Sequence, residues 1–413
     1  MKKFHFFLVF LFFTTYGVKA QKSVLDLGSG RSLEIGGWVS TQFILDSRAT
    51  EDAVDGLFSL YPKNVLYDSF GNDINASPSI AMSSATTRFT TTFNGPNVGN
   101  ATSQAYVEMD FTAKSNTNSF MFRQGWIKLK WPKSELLIGR AWAPMATYSM
   151  PHVMNISFGA PFFTFNRSEQ LRYTYTPENL LFSITASYQG QYASFGPNGR
   201  SIEYMRHAVI PELSLAAQWS DGHSKIGVVG NMKTIKPRET VTDAVGSVWT
   251  TSETLTSFSG QVFAEFKTDY MSLRLNGSYT QNLAEASMLG GYAVSYVDPL
   301  SGKEKYTPSQ HLNGWMSVEF GDKLKYGFFA GYSKNLGTKE NVVGDFYGRG
   351  SNIASIYRIA PKVLYKFAKF DIGSELEITK VWYGIPDNND NFKVHDLNDV
   401  TNVRLLLSAT YYF

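Results

Sequence analysis

The feature that most constrains this chain is a short alternating segment that recurs from Leu33 to the C-terminus. In each copy, apolar or aromatic residues occupy every second position and small or polar residues the positions between, as in 105–111 (AYVEMDF). Successive side chains of a β-strand point to opposite faces, so each copy predicts a strand with one apolar and one polar face. Repetition along nearly the whole chain is typical of a β-barrel that spans a membrane.

The count of these segments predicts an all-β fold, a transmembrane antiparallel β-barrel of about 16 strands. An even number of strands places both chain ends on the same side of the membrane. We predict one barrel domain over residues 21–413. The predicted strands are 33–47, 86–94, 102–113, 119–131, 134–141, 168–176, 180–190, 207–219, 224–234, 253–267, 270–281, 310–320, 324–334, 353–367, 370–383 and 401–413.

The links between strands alternate between short and long. Short links carry turn residues, as in Asn94-Gly-Pro and Ser220-Asp-Gly. Long links of such barrels lie on the extracellular side. The predicted long loops are 48–84, 142–166, 191–206, 235–252, 282–309, 335–352 and 384–400.

Residues 1–20 are predicted to be a signal peptide that is removed. Lys2 and Lys3 precede an apolar stretch at 6–13, and small residues end the segment at Ala20. No later apolar run reaches the roughly 20 residues that a membrane-spanning helix needs, which excludes a helical membrane protein. The near-neutral balance of 38 basic and 35 acidic residues gives no reason to expect nucleic acid. With no cysteine, the fold uses neither disulfides nor thiolate metal sites.

A family resemblance rests on a series of short motifs between Arg31 and Tyr175. Thr87-Arg88-Phe89, Phe122-Arg123-Gln124 and Leu136-Leu-Ile-Gly-Arg140 follow one another before a long third loop. This order resembles the general trimeric porins of Gram-negative outer membranes. The Gly139-Arg140 step followed by Trp142 is similar to the DcaP-like porins, and the terminal Phe413 resembles the insertion signal of outer-membrane barrels.

The resemblance implies a passive diffusion channel for small hydrophilic solutes. A row of arginines opposite a third loop without acidic residues predicts a mild preference for anions. The resemblance also implies a homotrimer in the cell outer membrane of a Gram-negative bacterium, in contact with outer-membrane lipid and lipopolysaccharide, without a cofactor. The third loop, about 142–166, would fold inward and narrow the barrel. Two departures stand out: residues 141–166 contain no Asp or Glu, and only residues 21–30 precede the first strand, too few for a periplasmic N-terminal helix.

Charged residues within strands are the candidates for the lumen wall. A charge that faces lipid at mid-depth costs about 2 to 4 kcal/mol, so these side chains are expected to point inward. Two interpretations stay open: the arginines set a field that favours anions, or they pair with the carboxylates and brace the wall. The predicted lumen residues are Arg88, Arg123, Arg140, Arg172, Arg274, Glu108, Asp110, Glu375 and Glu377.

The third loop and two tryptophans leave further alternatives. Methionine is an adaptable filler, but a Met and His cluster is also able to bind a soft metal such as copper; we expect no metal. Trp38 and Trp126 line the lumen or lie at the membrane interface. The candidate constriction residues are Met145, Tyr148, Met150, His152 and Met154.

Other function classes have less support. The sequence contains no Gly-x-Ser-x-Gly, His-Glu-x-x-His or phosphate-binding glycine motif, so we expect no enzymatic activity. The alternative to a channel is an occluded barrel that serves as an adhesin or scaffold, because long loops carry recognition by default.

Overall fold

The computed structural model describes residues 23–54, 56–114 and 119–413 and contains a closed antiparallel β-barrel of sixteen strands. The barrel closes where the first and last strands pair. This confirms the predicted fold class. The barrel strands are β1 (Arg31–Asp46), β2 (Arg88–Asn94), β3 (Thr102–Asp110), β4 (Met121–Lys130), β5 (Ser134–Trp142), β6 (Arg167–Tyr175), β7 (Leu180–Tyr188), β8 (Glu212–Ser220), β9 (Ser224–Ile235), β10 (Leu255–Lys267), β11 (Met271–Gln281), β12 (Glu304–Phe320), β13 (Leu324–Thr338), β14 (Ile353–Phe367), β15 (Phe370–Asp387) and β16 (Lys393–Tyr412).

Short helices and strands outside the barrel wall lie mostly within the long loops. Two single-turn helices cover Pro144–Thr147 and Glu203–Arg206, and a 3-10 turn covers Ala284–Ala286. Among the described residues, no helix is long and apolar enough to cross a membrane. The additional strands are Ser23–Gly28, Thr50–Ala53, Phe58–Pro62, Ser79–Ser83, Phe195–Gly196, Gly199–Arg200, Thr240–Thr242, Val248–Thr250, Gly290–Val297 and Phe346–Arg349.

The alternation of side chains sets the two faces of the wall. In β1, Ile35 and Val39 are 47% and 49% exposed on the outer surface, whereas Ser40 and Gln42 on the inner face are each 4% exposed. The apolar outer face suits lipid contact, and the polar inner face is covered by loops that enter the lumen. The two-residue period therefore places the polar side chains inside the barrel.

The structure corrects several predicted strand boundaries and adds one strand. The predicted long loop 384–400 is short, because β15 and β16 continue as a hairpin until Asp387 and Lys393. β12 begins at Glu304 rather than 310. Ser23–Gly28 forms an unpredicted strand that pairs with the start of β1. The predicted signal peptide, 1–20, lies outside the described residues.

Candidate functional site

The third loop, defined here as residues 143–166, enters the lumen as predicted. Phe162 and Phe163 are 1% and 2% exposed and belong to an apolar cluster that includes the inward-facing Trp315 and Phe329. The rings of Phe162 and Phe329 lie 6.2 Å apart. An apolar patch on the otherwise polar inner wall thus holds the loop inside the barrel.

Two of the predicted lumen arginines fix the third loop by its backbone. Arg274 of β11 donates from Nη1 to the carbonyl oxygen of Met150 at 2.7 Å. Arg172 of β6 donates from Nη2 to the carbonyl oxygen of Trp142, just before the loop, at 2.6 Å. A guanidinium that hydrogen-bonds a carbonyl keeps its charge but loses freedom to meet a solute. Arg172 and Arg274 therefore hold the loop in place.

An arginine that the sequence analysis missed ties two loops together. Arg358 of β14 is 1% exposed and donates to the carbonyl oxygens of Ala160 at 3.0 Å and Leu60 at 2.7 Å. Ala160 belongs to the third loop, and Leu60 belongs to the loop after β1. The inward-folded segments are thereby joined to each other and to the wall.

The predicted carboxylates of β15 hold the tip of the third loop. Glu375 accepts hydrogen bonds from the backbone N–H groups of Met154 at 2.8 Å and Asn155 at 3.0 Å. Glu377 accepts two from the Asn155 side-chain amide, at 3.0 and 3.1 Å. Both carboxylates are buried, so these bonds replace the water that each would otherwise bind. They position the loop rather than line an open passage.

On β2 to β4, four predicted residues form one ion-pair network. Arg123 contacts Glu108 at 2.8 Å and Asp110 at 2.6 Å, and Arg88 contacts the same two carboxylates at 3.2 and 3.3 Å. Arg123 lies at a β-bulge. Glu108 pairs with Gln124 and Met109 pairs with Phe122, so Arg123 has no partner in register within the described strands and its side chain points into the lumen. For these arginines, the geometry favours the interpretation in which they brace the wall.

We expect Asp110→Ala to lower the free energy of unfolding by about 3 to 5 kcal/mol. Asp110 is fully buried, and its loss leaves two guanidinium groups facing each other with one carboxylate between them. Urea unfolding followed by tryptophan fluorescence measures the change. Asp322→Ala, in an exposed turn, is the control and should shift the value by less than about 0.5 kcal/mol. Equal stability of the two variants would contradict the bracing role.

Trp38 and Trp126, for which the sequence left two placements, both lie on the inner face next to this network. The guanidinium carbon of Arg88 is 4.6 Å from the centre of the Trp38 ring. Trp126 stacks on Tyr106 with ring centres 5.1 Å apart. Trp38 and Trp126 therefore line the lumen rather than the membrane interface.

Above the third loop, on the long-loop side, lies a cavity of about 670 Å³ that we call the vestibule. Its wall comes from the loops after β1, β3, β7, β11 and β13 and from Arg123 of the ion-pair network. Three arginines that the sequence analysis missed also line it: Arg167, Arg200 and Arg349.

Arg167 is the least compensated of these cations. It is 1% exposed, and its guanidinium carbon lies 4.7 Å from the ring centre of Trp142 and 5.2 Å from that of Phe165. Nη2 donates to the Tyr192 hydroxyl at 2.9 Å, whereas Nε and Nη1 have no hydrogen-bond partner. Within the described ranges, its side chain forms no ion pair. Aromatic rings stabilise a cation without neutralising its charge.

Arg200 and Arg349 flank the other side of the vestibule. Their guanidinium carbons lie 5.3 and 5.8 Å from the Phe195 ring centre, and neither forms an ion pair in the part of the chain that the structure describes. Partial burial and the neighbouring Arg349 charge lower the pKa of Arg200. The acids on the wall are Glu51 and Asp52. Arginines therefore outnumber carboxylates around the vestibule.

Arg140 does not line the lumen, so its predicted position is corrected. It pairs in register with Gly125 and Glu169, and it shares the outer face with Ile138, which is 48% exposed. Its side chain forms an ion pair with Glu169 at 2.6 Å and lies 5.2 Å from the Phe122 ring centre. An outward arginine is tolerated here because this ion pair compensates its charge near the end of the strand.

The predicted constriction residues do not converge on one point. Met145 and Tyr148 pack in one apolar cluster, Met150 in a second and Met154 in a third. His152 contacts the Ser272 hydroxyl at 3.1 Å. The methionines thus fill separate gaps between loop and wall, which favours the filler interpretation over a metal cluster.

The fold is similar to those of solved outer-membrane channels. The chain is similar to the outer membrane channel DcaP of Acinetobacter baumannii at 18% sequence identity. The alignment covers 96% of this chain and 99% of that one, with a TM-score of 0.64. The fold of this chain is that of the outer-membrane porins. OmpT of Vibrio cholerae matches at 12% identity over 95% of this chain and 100% of that one, with a TM-score of 0.57.

A third porin-fold structure is the anion-selective porin from Comamonas acidovorans. It matches at 9% identity over 93% of this chain and 100% of that one, with a TM-score of 0.54. No family model and no curated protein matches the chain. The porin fold agrees with the resemblance that the sequence motifs indicated.

Proposed function

We propose that this protein is an outer-membrane porin, a passive channel for small hydrophilic solutes that favours anions. The apolar outer face and the polar lumen support a membrane-spanning channel. The observation that carries the anion preference is the vestibule, where Arg167, Arg200 and Arg349 lack carboxylate partners among the described residues. A cationic entrance raises the local concentration of anions.

The proposed route runs along the wall formed by β1 to β4. A solute enters the vestibule from the extracellular side and passes Arg123, which belongs both to the vestibule wall and to the ion-pair network. It then meets Arg88 and the rings of Trp38 and Trp126. The network itself is neutral, so it adds polar contacts without reversing the field of the vestibule.

The proposed assembly is a homotrimer in the outer membrane, exported by the signal peptide at residues 1–20. Porin-fold neighbours include a trimer form of OmpT of Vibrio cholerae. We propose contact with outer-membrane lipid and lipopolysaccharide on the apolar outer face, and no catalytic role or cofactor.

The second candidate function is the occluded barrel that binds a partner through its loops. It is favoured by the complete burial of the inward-facing Thr185, Ser317 and Ser333, each 0% exposed beneath the inserted loops. An occluded barrel and a narrow channel differ in one measurable property, which is solute flux.

Liposome swelling separates the two candidates. Vesicles that contain the purified protein should swell in small hydrophilic solutes, and the rate should fall steeply as solute size increases, because the inserted loop narrows the lumen. Small organic anions should enter faster than cations of equal size. Vesicles that swell no faster than protein-free vesicles would contradict the channel and support the occluded barrel.

A further inference from the structure

A groove of about 970 Å³ lies across β9 to β14. Three glycines line it on the outer face, Gly260, Gly277 and Gly314, and Gly277 pairs directly with Gly314. None of the three has a positive φ, and a Cβ atom would meet its nearest neighbour at 3.8 Å at Gly277 and 3.6 Å at Gly314. The backbone therefore does not require glycine at these positions, which leave an empty channel in the outer surface.

The sides of the groove are apolar and face the membrane. Tyr279, Leu312 and Tyr332 are 36%, 52% and 47% exposed along its border. They continue the outer band that includes Val262 and Met316, at 59% and 37% exposure. An extended hydrocarbon chain fits a long apolar groove, because the walls of the groove offer more van der Waals contacts than a flat surface does.

A cation and several amides lie beside the groove. Lys334 of β13 is exposed and pairs in register with Leu312. It lies two residues beyond Tyr332, toward the long loops. It forms no ion pair within the described ranges. On the neighbouring strands, the Tyr279 hydroxyl donates to Gln310 at 2.8 Å and accepts from Gln281 at 2.9 Å. An ammonium group with polar neighbours is suited to a phosphate.

We propose that this groove binds one acyl chain of a phosphorylated lipid of the outer leaflet, with a lipid phosphate at Lys334. The inference rests on the proposed outer-membrane location. A second protein copy fits less well, because a protein interface would bury the unpaired Lys334 ammonium, and charged residues are depleted from interface cores. Lipid allows the charge to stay in the hydrated headgroup layer.

Native mass spectrometry of the detergent-solubilised full protein with added diphosphoryl lipid A tests the proposal. We expect one lipid A bound per protomer. Gly277→Leu/Gly314→Leu fills the groove and should weaken binding about tenfold, and Lys334→Gln should weaken it about fivefold. The matched controls are Ala409→Leu on the outer face of β16 and Lys339→Gln in an exposed loop, and both should bind as the wild type does.

Each result bears on the proposal separately from channel activity. If both groove variants bind lipid A as tightly as their controls, the proposal is wrong, even where the protein still drives liposome swelling. If they bind weakly while the wild type shows no swelling, the lipid site stands and the channel proposal fails. A groove variant that dissociates the oligomer but keeps lipid A binding would assign the groove to a second copy. Lys334→Gln, on an exposed side chain, keeps the test decisive if the glycine variant fails to fold.

Discussion

Replacement of residues 150–163 by a short Gly-Ser linker is expected to raise single-channel conductance about threefold or more. These residues carry the tip of the third loop and its buried phenylalanines, which occupy the lumen between the apolar patch of β12 and β13 and the carboxylates of β15. Their removal opens the cross-section that the loop fills. Single-channel recording in planar bilayers measures the change.

The matched control shortens a loop that lies outside the lumen. Removal of residues 243–247, at the tip of the hairpin formed by Thr240–Thr242 and Val248–Thr250, should leave conductance unchanged. Folding of both variants is checked by heat-modifiable migration on gels. Unchanged conductance after shortening of the third loop would show that the narrowest point lies elsewhere.

The triple variant Arg167→Gln/Arg200→Gln/Arg349→Gln is expected to lower the ratio of anion to cation permeability about fivefold. The three guanidinium groups line the vestibule without carboxylate partners in the described ranges, so their charge acts directly on entering ions. Reversal potentials under a salt gradient measure the ratio. Since these fields are screened by salt, the effect should be larger at low ionic strength.

Arg206→Gln is the control for this prediction. Arg206 is 65% exposed and pairs with Glu203, so its loss removes one positive charge outside the vestibule and should leave the permeability ratio unchanged. Arg200→Glu, on a more exposed part of the vestibule wall, provides a second test if the triple variant does not fold. An unchanged permeability ratio in both the triple variant and Arg200→Glu would contradict the proposed role of the vestibule.

The fold could be predicted from the sequence because its main determinant is local. A strand between lipid and a polar lumen must alternate every two residues, and that pattern is visible without any knowledge of pairing. The pattern fails where both faces of a strand are apolar. In β5, Leu136, Leu137 and Ile138 follow one another, so no contrast fixed the phase, and Arg140 was placed on the wrong face.

The functional residues were predictable in the strands and unpredictable in the loops. Arg358 lies in a predicted strand with the phase of lumen residues, so alternation alone carried enough signal to include it. Arg200 and Arg349 lie in loops, where no period relates sequence to direction. They meet Arg123 at the vestibule only because separate loops fold over the same mouth of the barrel.

The most direct test of the proposed anion-favouring channel is planar-bilayer conductance of the purified wild-type protein under a salt gradient. We expect stepwise insertion of conducting units, grouped in threes for a trimer, with a reversal potential that shows preference for anions. Absence of conductance would contradict the channel and favour the occluded barrel. A reversal potential that shows preference for cations would contradict the assignment of selectivity to the vestibule arginines.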